Sequence, residues 1–377
     1  MAKLCLLLTF LLLASCATNA PKKIKELRYI GSINYKTSKS FKGLQLGGLS
    51  GLVYDKKTKR LLAISDDRGK WGKPRYYSFK FFLTSKKFKL RTDTLTFLKN
   101  NKGKKFKDGR RDFEGITLLR NNHLVLSSEG NTKKKPRIPP ALTEFDKKGN
   151  FVRELNVPIK FLPEPTGYHD TGVRNNLGLE SLSSTPNGGF LFFANEAPLK
   201  QDDRLSTTEY GGDVRLVRYK ASGSSFQPDG EFVYQVEPIP VPDLKKKLRG
   251  SIGLTDLLAL DENRLISIER AWVRKLKKQT IRLYSVEIER QTSNVKNEDF
   301  LHGKFYKRVK KKLLADLDSI LPLMPKKWRK LDNIEGICLG PRLKNGNYTL
   351  ILVSDNNFNA RQRTLFMAFE IIEKKTK

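Results

Sequence analysis

The chain has 377 residues and carries 73 Lys and Arg against 39 Asp and Glu, a formal net charge of +34. Such a body attracts anionic lipid, lipopolysaccharide, nucleic acid or polyphosphate. The lysines are scattered, as in Lys56-Lys57, Lys86-Lys87, Lys133–Lys135, Lys245–Lys247 and Lys310–Lys312. They read as solvated loop charges, and none falls in a recognisable nucleic-acid module, which excludes a specific nucleic-acid partner.

The first element is a leader. Lys3 precedes an apolar run, Leu4–Leu13, broken only by Thr9 and followed by Leu13-Ala14-Ser15-Cys16. Ten residues are too few for a membrane span, which needs about 20, and fit the apolar region of a signal peptide. Leu-Ala-Ser-Cys resembles the lipobox of bacterial lipoproteins. The expectation is a signal peptide over 1–15, cleavage before Cys16 and lipidation of that cysteine, a tether over 16–26 and one domain over 27–377. The protein would be exported and lipid-anchored to the cell envelope. Ala17, with no acid after the cysteine, favours the outer membrane by analogy with lipoprotein sorting. Once the leader and its Cys5 are removed and Cys16 is lipidated, Cys338 is the remaining thiol. Flanked by Ile337 and Leu339, it reads as a core residue, and no intramolecular disulfide is expected.

Five segments then repeat one pattern: a short apolar strand, a polar turn, and a second apolar strand that closes on an acid. They open at Gly48-Leu-Ser-Gly-Leu, Asp112-Phe-Glu-Gly-Ile, Gly178-Leu-Glu-Ser-Leu, Gly253-Leu-Thr-Asp-Leu and Asn333-Ile-Glu-Gly-Ile. They close at Asp66-Asp67, Glu129, Glu196, Glu269 and Asp355. The turns between, such as Pro186-Asn-Gly-Gly189 and Lys344-Asn-Gly-Asn347, are hairpin signals. The opening positions Ser50, Glu114, Glu180, Thr255 and Glu335 recur after 64, 66, 75 and 80 residues. Third strands follow at 76–83, 141–145 with 151–155, 214–219, 282–288 and 364–372. Helical periodicity is confined to a short stretch near Lys310–Leu321. Repeated meanders of this size imply an all-β chain with radial repetition, a β-propeller of five to seven blades. The strand over 27–33 is placed to pair with 364–372 and close the ring.

The Asp-Phe-Glu-Gly-Ile and Asn-Ile-Glu-Gly-Ile segments, Gly178-Leu-Glu-Ser-Leu, Ile64-Ser-Asp-Asp67 and Val353-Ser-Asp-Asn-Asn357 resemble the phytase-like family, "esterase-like activity of phytase", over roughly residues 43–372. The resemblance implies a propeller of exported proteins and an esterase or phosphatase activity. The extended Asp-rich and Lys-rich active-site pattern of the β-propeller phytases is absent; Asp66-Asp67 is a fragment of it.

In a propeller, equivalent positions from every blade form a ring. Carboxylates converging on an axis repel one another unless a cation or arginines neutralise them. Glu114, Glu180 and Glu335, with Arg111 and Arg270, are therefore the candidate catalytic residues. Asp67, Glu129, Glu196, Glu269 and Asp355 are the candidate metal ligands, and calcium, which takes six to eight hard oxygens, is the expected occupant. Zinc is disfavoured because His123, His169 and His302 share no ligand spacing. Arg68 and Arg174 are near these acids in sequence. A cation and arginines together suit a phosphate ester or another anionic ligand. His169, in the loop Thr166–Gly172, reads either as a proton-transfer residue or as a solvent-facing loop histidine. No Gly-x-Ser-x-Gly elbow or nucleotide-binding glycine loop occurs. Two functions follow: a calcium-dependent phosphoesterase or esterase at a membrane surface, or a non-catalytic monomeric scaffold in which the acids satisfy backbone amides at blade turns. For the anchor, Cys16→Ser should abolish metabolic labelling with palmitate and leave the precursor uncut or in the soluble fraction; labelled, membrane-bound Cys16→Ser protein would overturn it.

Overall fold

A computed structural model describes residues 20–106, 109, 111–241 and 248–374. The expected leader, Cys16 and the Lys245–Lys247 run lie outside the described residues.

Among the described residues, five four-stranded antiparallel sheets form a five-bladed propeller. Blade I comprises β4 (Leu49–Asp55), β5 (Arg60–Ser65), β6 (Arg75–Thr84) and β7 (Lys87–Phe97). A two-stranded hairpin, β2 (Ser40–Phe41) and β3 (Leu44–Gln45), precedes it. Blade II comprises β8 (Phe113–Leu118), β9 (Leu124–Ser128), β10 (Ala141–Phe145) and β11 (Phe151–Leu155). Blade III comprises β12 (Leu179–Ser184), β13 (Phe190–Asn195), β14 (Gly212–Ser222) and β15 (Ser225–Val236). Blade IV comprises β16 (Gly250–Ala259), β17 (Arg264–Val273), β18 (Lys278–Glu287) and β19 (Lys310–Asp316). Blade V takes β20 (Asn333–Leu339), β21 (Thr349–Asp355) and β22 (Arg363–Glu373) from the end of the chain and its outer strand, β1 (Ile24–Lys36), from the beginning. The expected closure is thus realised: Leu27 pairs with Ile371 and Ile33 with Phe366.

The innermost strands β4, β8, β12, β16 and β20 follow one another around the axis, and the last contacts the first. Five principal apolar clusters each occupy the gap between two neighbouring blades. The second strand of each blade is buried on both faces, which is why it reads as a continuous apolar run. In β5, Leu61 and Ala63 face blade V while Leu62 and Ile64 face blade II. Cys338 belongs to the cluster between blades V and I, and burial raises its thiol pKa, as suits a packing residue.

The stretch near Lys310–Leu321 departs from the helical reading. Its first half is the edge strand β19, and a 3₁₀ helix follows over Leu317–Leu323, started by the Asp316 side chain accepting from Asp318 N. The strand is held by sheet pairing and by Lys311, whose ammonium reaches Glu269 and Glu237 at 2.6 and 2.8 Å.

Phe366 is fully buried where blades V and I meet, edge-to-face with Phe79 and Tyr35. Phe366→Ala removes one fully buried ring from this packed gap and should cost about 3–5 kcal/mol of unfolding free energy in urea denaturation; a loss under about 1 kcal/mol would show that this gap is not close-packed.

Candidate functional site

Every inner strand carries a β-bulge at the same place. Sheet register breaks between Leu49 and Leu52, Phe113 and Ile116, Leu179 and Ser181, Leu254 and Asp256, and Ile334 and Gly336. The residues at these breaks include the five opening positions of the repeat, Ser50, Glu114, Glu180, Thr255 and Glu335. A bulge interrupts the ladder and re-aims a side chain. Here it coincides with the point where the inner strands converge, and three of the five re-aimed residues are glutamates.

The second strand supplies another ring. The residues paired just before the bulges are Ser65, Ser128, Asn195, Glu269 and Ser354. The positions that follow them are Asp66, Glu129, Glu196, Arg270 and Asp355, and all five line one cavity of about 1040 Å³ together with Glu114, Glu180 and Glu335. Neighbouring blades leave room for the acids at two glycines. A Cβ on Gly178 would lie 2.5 Å from Glu129 Cβ, and one on Gly253 would lie 2.4 Å from Glu196 Cγ.

Of the expected metal ligands, Glu129, Glu196 and Asp355 enter this cavity, and Asp67 and Glu269 do not. A one-residue step along a strand turns a side chain to the opposite face. Asp67 is buried in an ion pair with Arg75 at 2.7 Å and accepts from Gly69 N and Trp71 N, so Asp66 takes the cavity position. Glu269 is held by Lys311 and by the Tyr234 hydroxyl at 2.7 Å, and Arg270 points inward instead. Of the expected catalytic residues, Glu114, Glu180, Glu335 and Arg270 are in the cavity. Arg111 is not: it pairs with Glu154 in a separate cleft of about 960 Å³. Arg174 donates to the carbonyls of Pro198 and Asp203, and His169 Nε2 lies 3.0 Å from the carbonyl of Val173.

Asp112 and Arg68 complete the carboxylate well. Arg68 Nε is 2.6 Å from Asp112 Oδ2, and its Nη2 is 3.7 Å from Glu129 Oε1. Asp112 opens the Asp-Phe-Glu-Gly-Ile segment, and Arg68 directly follows Ile64-Ser-Asp-Asp67. Their signal was proximity in sequence to ring positions, two residues before Glu114 and two after Asp66. Arg270 Nη2 reaches Glu196 Oε1 at 3.2 Å and Glu335 Oε1 at 3.3 Å. Asn333 Nδ2 donates to Glu335 Oε1 at 2.8 Å, and Ser50 Oγ is 2.8 Å from Glu114 Oε2. Eight carboxylates therefore share the well with two guanidinium groups that touch them. Asp332, at the edge of the cavity, has Arg363 at 3.7 Å.

The electrostatic consequence is uniform. Burial first, then mutual repulsion, holds the carboxyls of Glu114, Glu129 and Glu180 well above the usual range. Asp66 is raised for the same reasons. Burial raises Glu335 to about 8 and Asp355 to about 6, with Arg270 opposing both shifts. Glu129 Oε2 and Asp112 Oδ1 are buried and have no hydrogen-bond donor among the described residues. Two triads, Asp66–Asp112–Glu114 and Glu114–Glu129–Glu180, each hold ligand oxygens within 4.8 Å of one another. The well is thus an acidic cluster that could hold an ion, and its all-oxygen donor set matches a hard divalent cation. No histidine lines it.

The opposite lip is basic. Arg274 and Lys277 of blade IV, with Lys330 and Arg361 of blade V, line the cavity and are exposed. Trp272, Asn357 and Asn359 also line it. The cavity therefore runs from a carboxylate floor weighted to blades I–III to a cationic lip on blades IV and V.

Several solved propellers cover nearly the whole chain at low sequence identity. The endo-arabinase from Bacteroides thetaiotaomicron aligns over 91% of this chain and 98% of its own, with 13% identity and a TM-score of 0.44. A luciferin-regenerating enzyme aligns over 91% and 96%, with 8% identity and a TM-score of 0.37. No protein of curated function matches the chain in sequence. The phytase-like model, described as esterase-like activity of phytase, matches residues 44–358, and the chain belongs to that family.

Proposed function

We propose that the protein is a calcium-dependent hydrolase of anionic esters, phosphate esters first, held at the envelope surface through a lipid on Cys16. The carrying observation is the well itself: eight converging carboxylates, two of them with buried oxygens that no donor satisfies, beside a cationic lip. Unpaired buried carboxylates cost free energy that a bound cation offsets. Family membership agrees with ester chemistry.

In this reading Glu114, with Asp66 and Asp112 on one side and Glu129 and Glu180 on the other, holds calcium. When bound, calcium would polarise the phosphoryl or carbonyl oxygen and make the phosphorus or carbon a better electrophile. The rest falls to the chain's own groups. Arg270, steadied by Glu196, and Arg68, steadied by Asp112 and Glu129, bind the oxyanion through paired N–H groups. Lys330, Arg361 and Arg274 draw the anion over the lip. Asp355 and Glu335 flank Arg270 with carboxyls whose environments separate them, about 6 against about 8. At neutral pH the first is mostly ionised and accepts the proton of the attacking water, and the second is mostly protonated and donates to the leaving oxygen.

Both folded-state values lie above the ordinary 3.8 and 4.5. The metal-free folded state therefore binds more protons than the unfolded chain in the window between. Stability from these groups is complete below about pH 4 and is lost as pH rises, for Asp355 through about 6 and for Glu335 through about 8. The melting temperature of chelator-treated protein should fall between about pH 5 and about pH 8, and calcium should restore it more at the upper end, where the ligands are ionised. A melting temperature that climbs over this window, or that calcium leaves unmoved at pH 8, sinks the metal reading.

Hydrolysis is tested with a panel of chromogenic phosphate and carboxylic esters, with calcium and with chelator. Glu335→Gln and Asp355→Asn should each lower kcat by about 10²–10⁴-fold with little change in calcium-induced stabilisation. If calcium stabilises the protein and no ester turns over, the non-catalytic anion-binding scaffold becomes the better reading.

A further inference from the structure

We infer that the well takes two calcium ions side by side, with Glu114 as the ligand common to both; this rests on the calcium reading above and specifies it. Three observations carry it. The two triads overlap only at Glu114: Asp66 follows β5 of blade I and Asp112 precedes β8 of blade II, whereas Glu129 follows β9 of blade II and Glu180 lies on β12 of blade III. Within each triad the ligand oxygens lie within 4.8 Å of one another, close enough to share one calcium with bonds of about 2.3–2.6 Å, and the two triads form separate groups.

Each triad also has its own unsatisfied atom. Asp112 is 4% exposed and its Oδ1 meets no donor; Glu129 is 3% exposed and its Oε2 meets none. An orphaned carboxylate oxygen in each half asks for a cation in each half, because a single ion placed against Asp112 leaves Glu129 as it was. Arg68 does not fill either role. It straddles the halves, with one nitrogen 2.6 Å from Asp112 Oδ2 and another 3.7 Å from Glu129 Oε1.

The charge count points the same way. Eight carboxylates against Arg68 and Arg270 leave a formal excess of six negative charges. One divalent ion leaves four confined together, and two leave two, facing the cationic lip. Glu114 is positioned for sharing. Its bulge carries it to the centre, and Ser50 Oγ at 2.8 Å from Oε2 fixes the carboxylate orientation.

The experiment is a calcium titration of the full mature chain after exhaustive chelation, by calorimetry with equilibrium dialysis of radioactive calcium as an independent count. Wild type should bind two equivalents in the well. Asp112→Asn and Glu180→Gln should each keep one, weakening the other by more than about a hundredfold. Glu114→Gln should weaken both. One equivalent in wild type, removed alike by Asp112→Asn and Glu180→Gln, overturns the paired-ion inference and leaves the calcium reading standing. No binding at all removes both. Two wild-type equivalents of which Glu114→Gln keeps one intact show separate sites and overturn the sharing. Wild-type stoichiometry needs no variant to fold, and circular dichroism of the isosteric variants separates lost binding from lost structure.

Discussion

Five inner strands packed around one axis bring the same position of every blade into the same small space. Whatever residue type the repeat places there is presented several times over, and the structure must live with the sum. Here three bulged glutamates and four acids from the second strands meet, joined by Asp112. Charges of one sign confined away from water repel strongly because little solvent screens them. The direction of every resolved carboxyl shift in the well follows from this, and so do the local devices that make the crowding bearable: glycines 178 and 253 beneath neighbouring glutamates, Ser50 against Glu114, Asn333 against Glu335, and two arginines inserted among the acids.

The well is also set within a body of opposite sign. Of 39 acidic residues in a chain with 73 basic ones, eight gather at the axis. The rest of the surface draws anions towards the cavity, and the floor would repel them if it stood uncompensated. A cation on the floor reverses that local sign. The basic exterior and acidic interior are then complementary parts of one arrangement, in which cation and anion each depend on the other being accommodated. Arg75–Asp67 and Lys311–Glu269 stand outside it; they are satisfied pairs within blade I and blade IV.

Most of the fold was legible because a strand buried on both faces reads as an unbroken apolar run, as in Phe190-Leu-Phe-Phe-Ala or Thr349-Leu-Ile-Leu-Val. Three of the five outer strands, β7, β15 and β19, were not. In Lys87-Phe-Lys-Leu-Arg-Thr-Asp one face is solvated and lysine-rich, so alternation is diluted until it resembles a loop; β19, with three consecutive lysines, is the extreme case. At the site, repetition disclosed which segments contribute acids, and Glu114, Glu180 and Glu335 lie on bulges that align in space as they do in sequence. The closing acids were harder. Asp66 and Asp67 are adjacent, as are Glu269 and Arg270, and only the register of the sheet decides which of two neighbours faces the axis. Arg111 illustrates the remaining limit: one residue from Asp112, it points into another cleft altogether.

The exception to the ring is what gives the cavity a direction. Blade IV places Arg270 where the other four blades place an acid, and Thr255 where three place glutamate. A fully acidic ring would bind a cation with no preferred side for an anion. With Arg270 between Glu196 and Glu335, and with Arg274 and Lys277 on the hairpin that continues from its strand, blade IV forms a positive wall facing the carboxylates of blades I to III. In the proposed reaction those charges set the ester's anionic oxygens on Arg270 and its remaining substituent towards Trp272 and the open mouth. Asp355 and Glu335 adjoin that wall from blade V, with Glu335 Oε1 lying 3.3 Å from Arg270 Nη2. Broken symmetry in a single blade thus turns a repeated acidic position into a cavity with a carboxylate side and a cationic side.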